Sequence, residues 1–222
     1  MSWESDLDAL KTRFDIMDTV VTAADRDVTI AQPRNADTLI SEDDFVRDDR
    51  LPYWADLWPS ARVLADHVMR HHGDGRRALE LGCGSGLVTS ALAMAGYAVT
   101  ATDYYEDALA FTSVNARRNS GRDVTTRLVD WRAMPSDLGL FDVVVASDVL
   151  YEHTYGELVA DAVRATLSAS GYALIADPGR LSLDAFLRSA EDGGMVLTEQ
   201  WSVPFAEGDQ RQTIQLHALK KR

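Results

Sequence analysis

The sequence predicts an α/β protein: a doubly wound, seven-stranded sheet with an antiparallel last strand and a small N-terminal extension. Three observations predict it. Short apolar runs alternate with helical patterns from about residue 61 to residue 193. The first of these runs, Ala78-Leu79-Glu80-Leu81, passes directly into the glycine-rich turn Gly82-Cys83-Gly84-Ser85-Gly86. The final two, residues 196–203 and 213–219, have only a polar loop between them and read as a hairpin.

Taken in order, residues 1 to about 20 carry Leu7, Leu10, Phe14 and Met17 at helical spacing, which predicts a short amphipathic helix. Two short strands, 19–22 and 28–31, flank the turn Asp25-Arg26-Asp27, and residues 41–50 read as an acidic loop. Leu51-Pro52-Tyr53-Trp54-Ala55-Asp56-Leu57-Trp58-Pro59-Ser60 follows, with Pro59 suited to the first turn of a helix over 61–71. Tryptophans at such a place serve as core anchors or as a pocket wall. Beyond the glycine turn come a helix through 90–93, a strand over 97–102 ending on Asp103, and a helix over 106–119. A strand over 124–129 then ends on Asp130-Trp131. Apart from Asp142 the run 140–146 is apolar, as expected of a strand covered on both faces, and leads to Ser147-Asp148-Val149-Leu150-Tyr151-Glu152. A helix over 155–168, a strand over 172–177 broken by Pro178-Gly179, and a helix over 183–191 complete the alternation.

Strand, glycine turn, helix, strand and terminal acid form half of a nucleoside-binding unit. Glycines let the backbone approach a ligand closely, and a helix N-terminus offers unpaired N–H groups. Asp103 stands about 20 residues after the first glycine, where an acid meets a ribose diol. A dinucleotide fingerprint requires its third glycine at position 87, which is Leu87, so a nicotinamide cofactor is disfavoured. No lysine follows the turn, so it is not a nucleotide-triphosphate loop.

Composition narrows the partners. At 222 residues with a net charge of −13, the chain is one domain's length with some extra elements, and a nucleic-acid backbone is an unsuitable partner. No apolar run reaches the roughly 18 residues of a membrane span, and the acidic N-terminus has no signal core, so a cytoplasmic protein without membrane partners is expected. Cys83 is the only cysteine, which excludes an intrachain disulfide, and the five histidines lack metal-ligand spacing, so no metal is expected.

The segments Tyr53-Trp54-Ala55-Asp56-Leu57-Trp58-Pro59-Ser60, Glu80-Leu81-Gly82-Cys83-Gly84-Ser85-Gly86, Asp130-Trp131 and Asp148-Val149-Leu150-Tyr151 together resemble the family 16 branch of the class I, seven-strand methyltransferases that use S-adenosylmethionine (SAM). The branch includes many protein-lysine methyltransferases, and bacterial relatives labelled nicotinamide-methyltransferase-like. The resemblance spans roughly residues 50–200. It implies a Rossmann-like methyltransferase domain over 51–222, with 1–50 as an extension packed on it. It implies SAM as cofactor, held by Trp58, Glu80, Gly82, Cys83, Gly84, Gly86, Asp103, Tyr104, Asp130, Trp131 and Ser147. It further implies Asp148 and Tyr151 as catalytic residues and Tyr53, Trp54 and Tyr151 as the acceptor wall. The reaction expected is N-methylation of a lysine on a protein or of a small-molecule amine. A small-molecule O-methyltransferase and a non-catalytic SAM-binding protein stay open beside it, as does the oligomeric state.

Overall fold

The computed structural model describes residues 2–39 and 52–222. The acidic stretch 41–50 and Leu51 therefore lie outside the described residues. The chain opens with helix α1 (Trp3–Lys11) and the antiparallel pair β1 (Ile16–Ala23) and β2 (Arg26–Pro33). The sequence expectation of one helix to about residue 20 is corrected here. Leu7 and Leu10 are buried on α1, but the β-branched run Thr19-Val20-Val21-Thr22 draws Ile16 and Met17 into β1. Phe14 keeps an apolar role from the connecting turn, with its ring 5.3 Å from that of Phe111. The hairpin reverses at Ala24 and Asp25, both at positive φ, as a two-residue primed turn requires.

The main body follows as α2 (Pro59–Met69), β3 (Arg77–Leu81), α3 (Leu87–Met94), β4 (Ala98–Asp103), α4 (Glu106–Ser120), β5 (Thr125–Leu128), β6 (Phe141–Ser147), α5 (Tyr155–Thr166), β7 (Leu167–Asp177), α6 (Leu183–Asp192), β8 (Met195–Glu207) and β9 (Gln210–Lys221). Strand order is β5-β4-β3-β6-β7-β9-β8. The strands from β5 to β7 are parallel neighbours, and β9 runs antiparallel to both β7 and β8. The doubly wound sheet expected from sequence is thus the one observed. The terminal hairpin is longer than its apolar runs, because exposed residues extend both strands.

Two cores sandwich the sheet. Leu64, Val68, Leu87, Leu92, Val143 and Val145 lie in the core shared with α2 and α3. Leu79, Val144, Val159, Val163, Ile175 and Phe186 lie in the one shared with α5 and α6. Alternate residues of β3 and β6 enter opposite cores, which explains why those strands are mostly apolar on both faces.

Polar side chains of α4 join the N-terminal hairpin to this body. Asn115 accepts the Ala31 N–H at 2.9 Å and donates to the carbonyls of Ala31 and Ser85, both at 2.8 Å. One turn on, Asn119 accepts from Thr29 N–H and donates to Thr29 O, both at 2.9 Å. Two amides one helical turn apart thereby pair the backbone groups of β2 that the two-stranded ladder leaves unbonded. Arg118 adds a two-pronged pair to Asp18 at 2.7 and 2.8 Å. The Ser85 contact carries this connection into the glycine turn.

Candidate active site

In an open sheet of this kind a ligand sits at the C-terminal ends of the strands, where the strand order reverses. Here the reversal lies between β3 and β6, and a cavity of about 360 Å³ opens there. All the residues singled out from sequence line it: Gly82, Cys83, Gly84 and Gly86 after β3, Asp103 and Tyr104 at the end of β4, Asp130 and Trp131 after β5, and Ser147, Asp148 and Tyr151 after β6. Glu80 lies beneath the turn, and Tyr53, Trp54 and Trp58 close the side that precedes α2.

The turn between β3 and α3 is possible only with glycine. Gly82, Gly84 and Gly86 have φ of +72°, +52° and +86°. A Cβ on Gly82 would stand 2.9 Å from Val149 Cγ1 and 3.5 Å from the Trp131 ring, closing space inside the cavity. A Cβ on Gly86 would fall 2.7 Å from Thr112 Cα, so that glycine lets α3 and α4 meet. Asp103 fastens the turn from β4: its Oδ2 accepts the Gly84 N–H at 2.9 Å and its Oδ1 the Tyr105 N–H at 3.0 Å.

Glu80 is fully buried and receives the Thr89 hydroxyl from α3. Burial pushes its carboxyl up to about 8, with Asp103 adding in the same direction and the Thr89 hydrogen bond opposing. Cys83 is buried beside Thr112 Oγ1 at 3.3 Å, and burial drives its thiol well above the usual range. A thiol so shielded is a turn residue, not a nucleophile.

At the β5 end, Asp130 accepts Arg132 N–H and binds the Arg132 guanidinium at 2.7–3.0 Å. Arg132 in turn lies 5.7 Å from the Tyr104 ring centroid. The acid expected to help hold the cofactor therefore arrives as part of an ion pair.

Asp148 differs most from a simple strand-end acid. It holds φ +57° and is 6 % exposed. Its Oδ2 accepts the Ser60 N–H at 3.1 Å in the first turn of α2, and its Oδ1 accepts Arg180 Nε at 2.9 Å and Nη2 at 2.8 Å. Asp148 thus caps a helix, but the distant α2 and not the one that follows it. Tyr151 sits in the loop before α5.

Trp54 lines the cavity, yet its indole packs on Phe111 at 5.6 Å and Phe14 at 6.4 Å, and its carbonyl receives Ser85 Oγ. Its aromatic surface is committed to the core. Trp58 points otherwise: Nε1 donates to Tyr53 O at 2.8 Å, and the ring carries the Arg180 guanidinium at 5.2 Å. Rings continue along the wall in edge contacts, Trp58 to Tyr53 at 5.9 Å, Tyr53 to Tyr151 at 5.2 Å, Tyr151 to Tyr155 at 5.1 Å and Tyr155 to Trp131 at 5.4 Å.

Sequence reasoning missed Arg180, Glu152 and Tyr155 on this wall. Arg180 was findable, since it follows the strand-ending Asp177-Pro178-Gly179, at the same end of the sheet as the other site residues. His67 and His71, one helical turn apart, stack at 4.8 Å beside Trp201, away from this cavity. Among the described residues no group of three or more His, Cys, Asp or Glu is arranged to hold a metal. No helix among them is long and apolar enough to cross a membrane.

Residues 78–171 match the family model of the methyltransferase domain. The matched segment contains the glycine turn and the strands β3 to β6 that flank the cavity. Residues 78–171 carry a class I SAM-dependent methyltransferase domain. Among curated relatives, the electron transfer flavoprotein beta subunit lysine methyltransferase of Danio rerio is 27 % identical over 137 residues, covering 60 % of this chain and 52 % of its own length. The ubiquinone biosynthesis O-methyltransferase of Methylococcus capsulatus is 35 % identical over 114 residues, covering 51 % of this chain and 47 % of its own. The chain spans about half the length of the curated relatives it matches. Among solved structures, SMU.776 complexed with SAH shares the fold, with a TM-score of 0.64 and 13 % identity over 91 % of this chain and 56 % of that one.

SAM is the cofactor of the class, and the cavity's own features suit it. The side-chain-free cradle at Gly82, the carboxylate of Asp103 beside that turn, and the Trp131 ring across from it provide for a sugar edge, hydroxyl donors and a flat base.

Proposed function

We propose that the protein is a SAM-dependent N-methyltransferase acting on a lysine side chain of a protein substrate. The aromatic wall carries this reading. Trp58, Tyr53, Tyr151, Tyr155 and Trp131 line one side of the cavity edge to face, a surface suited to an alkyl stem ending in an amine. Net charge of −13 favours an acceptor rich in basic residues. A relative that methylates a protein lysine supports the same acceptor class.

When bound, SAM supplies an electrophilic methyl group on a sulfonium. The chain's task is orientation, dehydration and proton removal. Asp103 would hold the ribose hydroxyls, while the turn of Gly82, Gly84 and Gly86 would hold the methionine end. Trp131, Tyr104 and Asp130 would border the base. Trp58, Glu80, Cys83 and Ser147 would shape the walls. On the acceptor side, Tyr53 and Tyr151 would line the stem, and Asp148 would orient the amine, with Tyr151 beside it. Trp54 would support that wall from the core. Alignment of nucleophile, methyl carbon and leaving sulfur supplies much of the acceleration, so no covalent enzyme intermediate is needed.

The O-methyltransferase relative favours a second reading, a small-molecule acceptor. Incubation with methyl-labelled SAM and a cell lysate separates the two. Label in protein, recovered as methyl-lysine, supports the proposal; label in the small-molecule fraction alone replaces it with the second reading. Tight SAM binding with no transfer to either fraction would leave a binding protein.

A further inference from the structure

Arg180 belongs to no sequence motif, yet it is the cation of the acceptor wall. The turn after β7 is built to aim it. Asp177 Oδ1 accepts the Gly179 N–H at 2.8 Å and the Arg180 N–H at 2.6 Å, bending the chain so that the side chain returns across the ends of the strands. Two guanidinium nitrogens then converge on Asp148 Oδ1, while Asp148 Oδ2 is taken by the backbone of Ser60. Trp58 lies against the guanidinium at 5.2 Å. The pair is therefore held from β6, from the β7 loop and from the start of α2. The positive φ of Asp148 is a strain that persists only where neighbours over-determine it.

We propose that Arg180 is a positioning residue that cancels the charge of Asp148 toward the acceptor, so that an amine entering the cavity is neutral when it attacks. The inference rests on the amine-acceptor reading above. An unpaired carboxylate beside an amine stabilises the ammonium form, which has no lone pair. A guanidinium on the same carboxylate replaces a net negative charge with a dipole, whose field falls off faster than that of a lone charge. Desolvation by the aromatic wall then works unopposed and disfavours the ammonium. The amine proton leaves to water, the nitrogen lone pair forms the bond to the methyl carbon, and the electron pair of the broken carbon–sulfur bond stays on sulfur. Among the described residues, Asp177 caps the turn that carries Arg180, and Asp56, Glu152, Tyr53 and Tyr151 share the cavity lining with the pair.

The test is the pH dependence of methyl transfer to protein from a heat-treated lysate, with methyl-lysine counted by mass spectrometry between pH 6.5 and 10. Wild type, Arg180→Met, Arg180→Lys and Asp148→Asn are compared, with SAM affinity measured by calorimetry on each sample. In Arg180→Met the midpoint of the rise with pH should move up by about one unit, with transfer at pH 7.5 about tenfold lower and recovered near pH 10. Arg180→Lys should return the midpoint toward wild type. Asp148→Asn, which leaves the guanidinium uncompensated, should move it the opposite way. SAM affinity should stay within about threefold throughout, and if Arg180→Met does not fold, the lysine and asparagine variants carry the comparison. An equal loss at every pH, or midpoints that do not move while wild type methylates lysine, overturns the inference alone. A wild type that labels only oxygen overturns the amine reading and this inference with it.

Discussion

Replacing Glu80 by glutamine isolates the cost of keeping a carboxyl under the glycine turn. The amide has the same shape and still offers an oxygen to the Thr89 hydroxyl, so packing and hydrogen bonding are preserved. What changes is titration. The carboxyl moves from about 4.5 unfolded to about 8 folded, mainly through burial. A raised folded value means that the native state binds more protons between those two limits, so the stability this group contributes is full below pH 4.5 and is lost as pH rises through 8. The 3.5-unit difference, at 1.36 kcal/mol per unit, amounts to about 5 kcal/mol across the window, and about 2–3 kcal/mol of it falls between pH 5 and 7. Urea unfolding of wild type and Glu80→Gln at half-unit steps from pH 5 to 8.5 reads this directly. The variant's advantage should grow with pH and level off above 8. Two stability curves that stay parallel within about 0.5 kcal/mol would refute the assignment. Because Glu80 lines the cavity, a bound cation favours its ionised form, so saturating SAM should flatten the wild-type slope.

Three further outcomes are expected. Asp103→Ala removes the carboxylate that fastens Gly84 and would hold the ribose, and should weaken SAM binding by about 1–3 kcal/mol in calorimetry; unchanged affinity removes the ribose role. Asn115→Leu strands the buried N–H of Ala31 and the carbonyls of Ala31 and Ser85, and should lower unfolding stability by about 2–4 kcal/mol, with a loss under 1 kcal/mol showing that the amide bridge is incidental. His217 is fully buried in β9, and burial lowers its pKa, with a contact to the Ile175 backbone opposing. The unfolded chain then binds the extra proton, so stability should fall as pH drops below about 6.5, and His217→Leu should remove that fall.

The fold was legible because each element states itself locally. Val143-Val144-Val145 can be nothing but a strand covered on both faces, and the turn from Gly82 to Gly86 has no room for a Cβ at either of those two glycines. The helical spacing of Phe14 and Met17 misled for the complementary reason: apolar residues at that spacing also serve a turn followed by a strand, and tertiary contacts decide. Phe14 meets Trp54 and Phe111, residues 40 and 97 positions away, which no local window contains.

The same distinction divides the site. Its donor side follows from strand ends, one residue or turn per strand, so Gly82, Asp103, Asp130 and Ser147 could be placed from the order of elements alone. The acceptor side is assembled across the chain. Asp148 meets Ser60 over 88 positions and Arg180 over 32, and Tyr53 meets Tyr151 in a ring contact no motif announces. A lone Asp-x-x-Tyr therefore gives the position of the carboxylate but neither its partner nor its net charge. Those are set by the β7 loop, through Asp177 and the turn it caps. On the proposed reading, changes in that loop would alter the charge presented to an acceptor while leaving the glycine turn intact. On the proposed reading, acceptor chemistry here thus rests on residues outside the glycine motif.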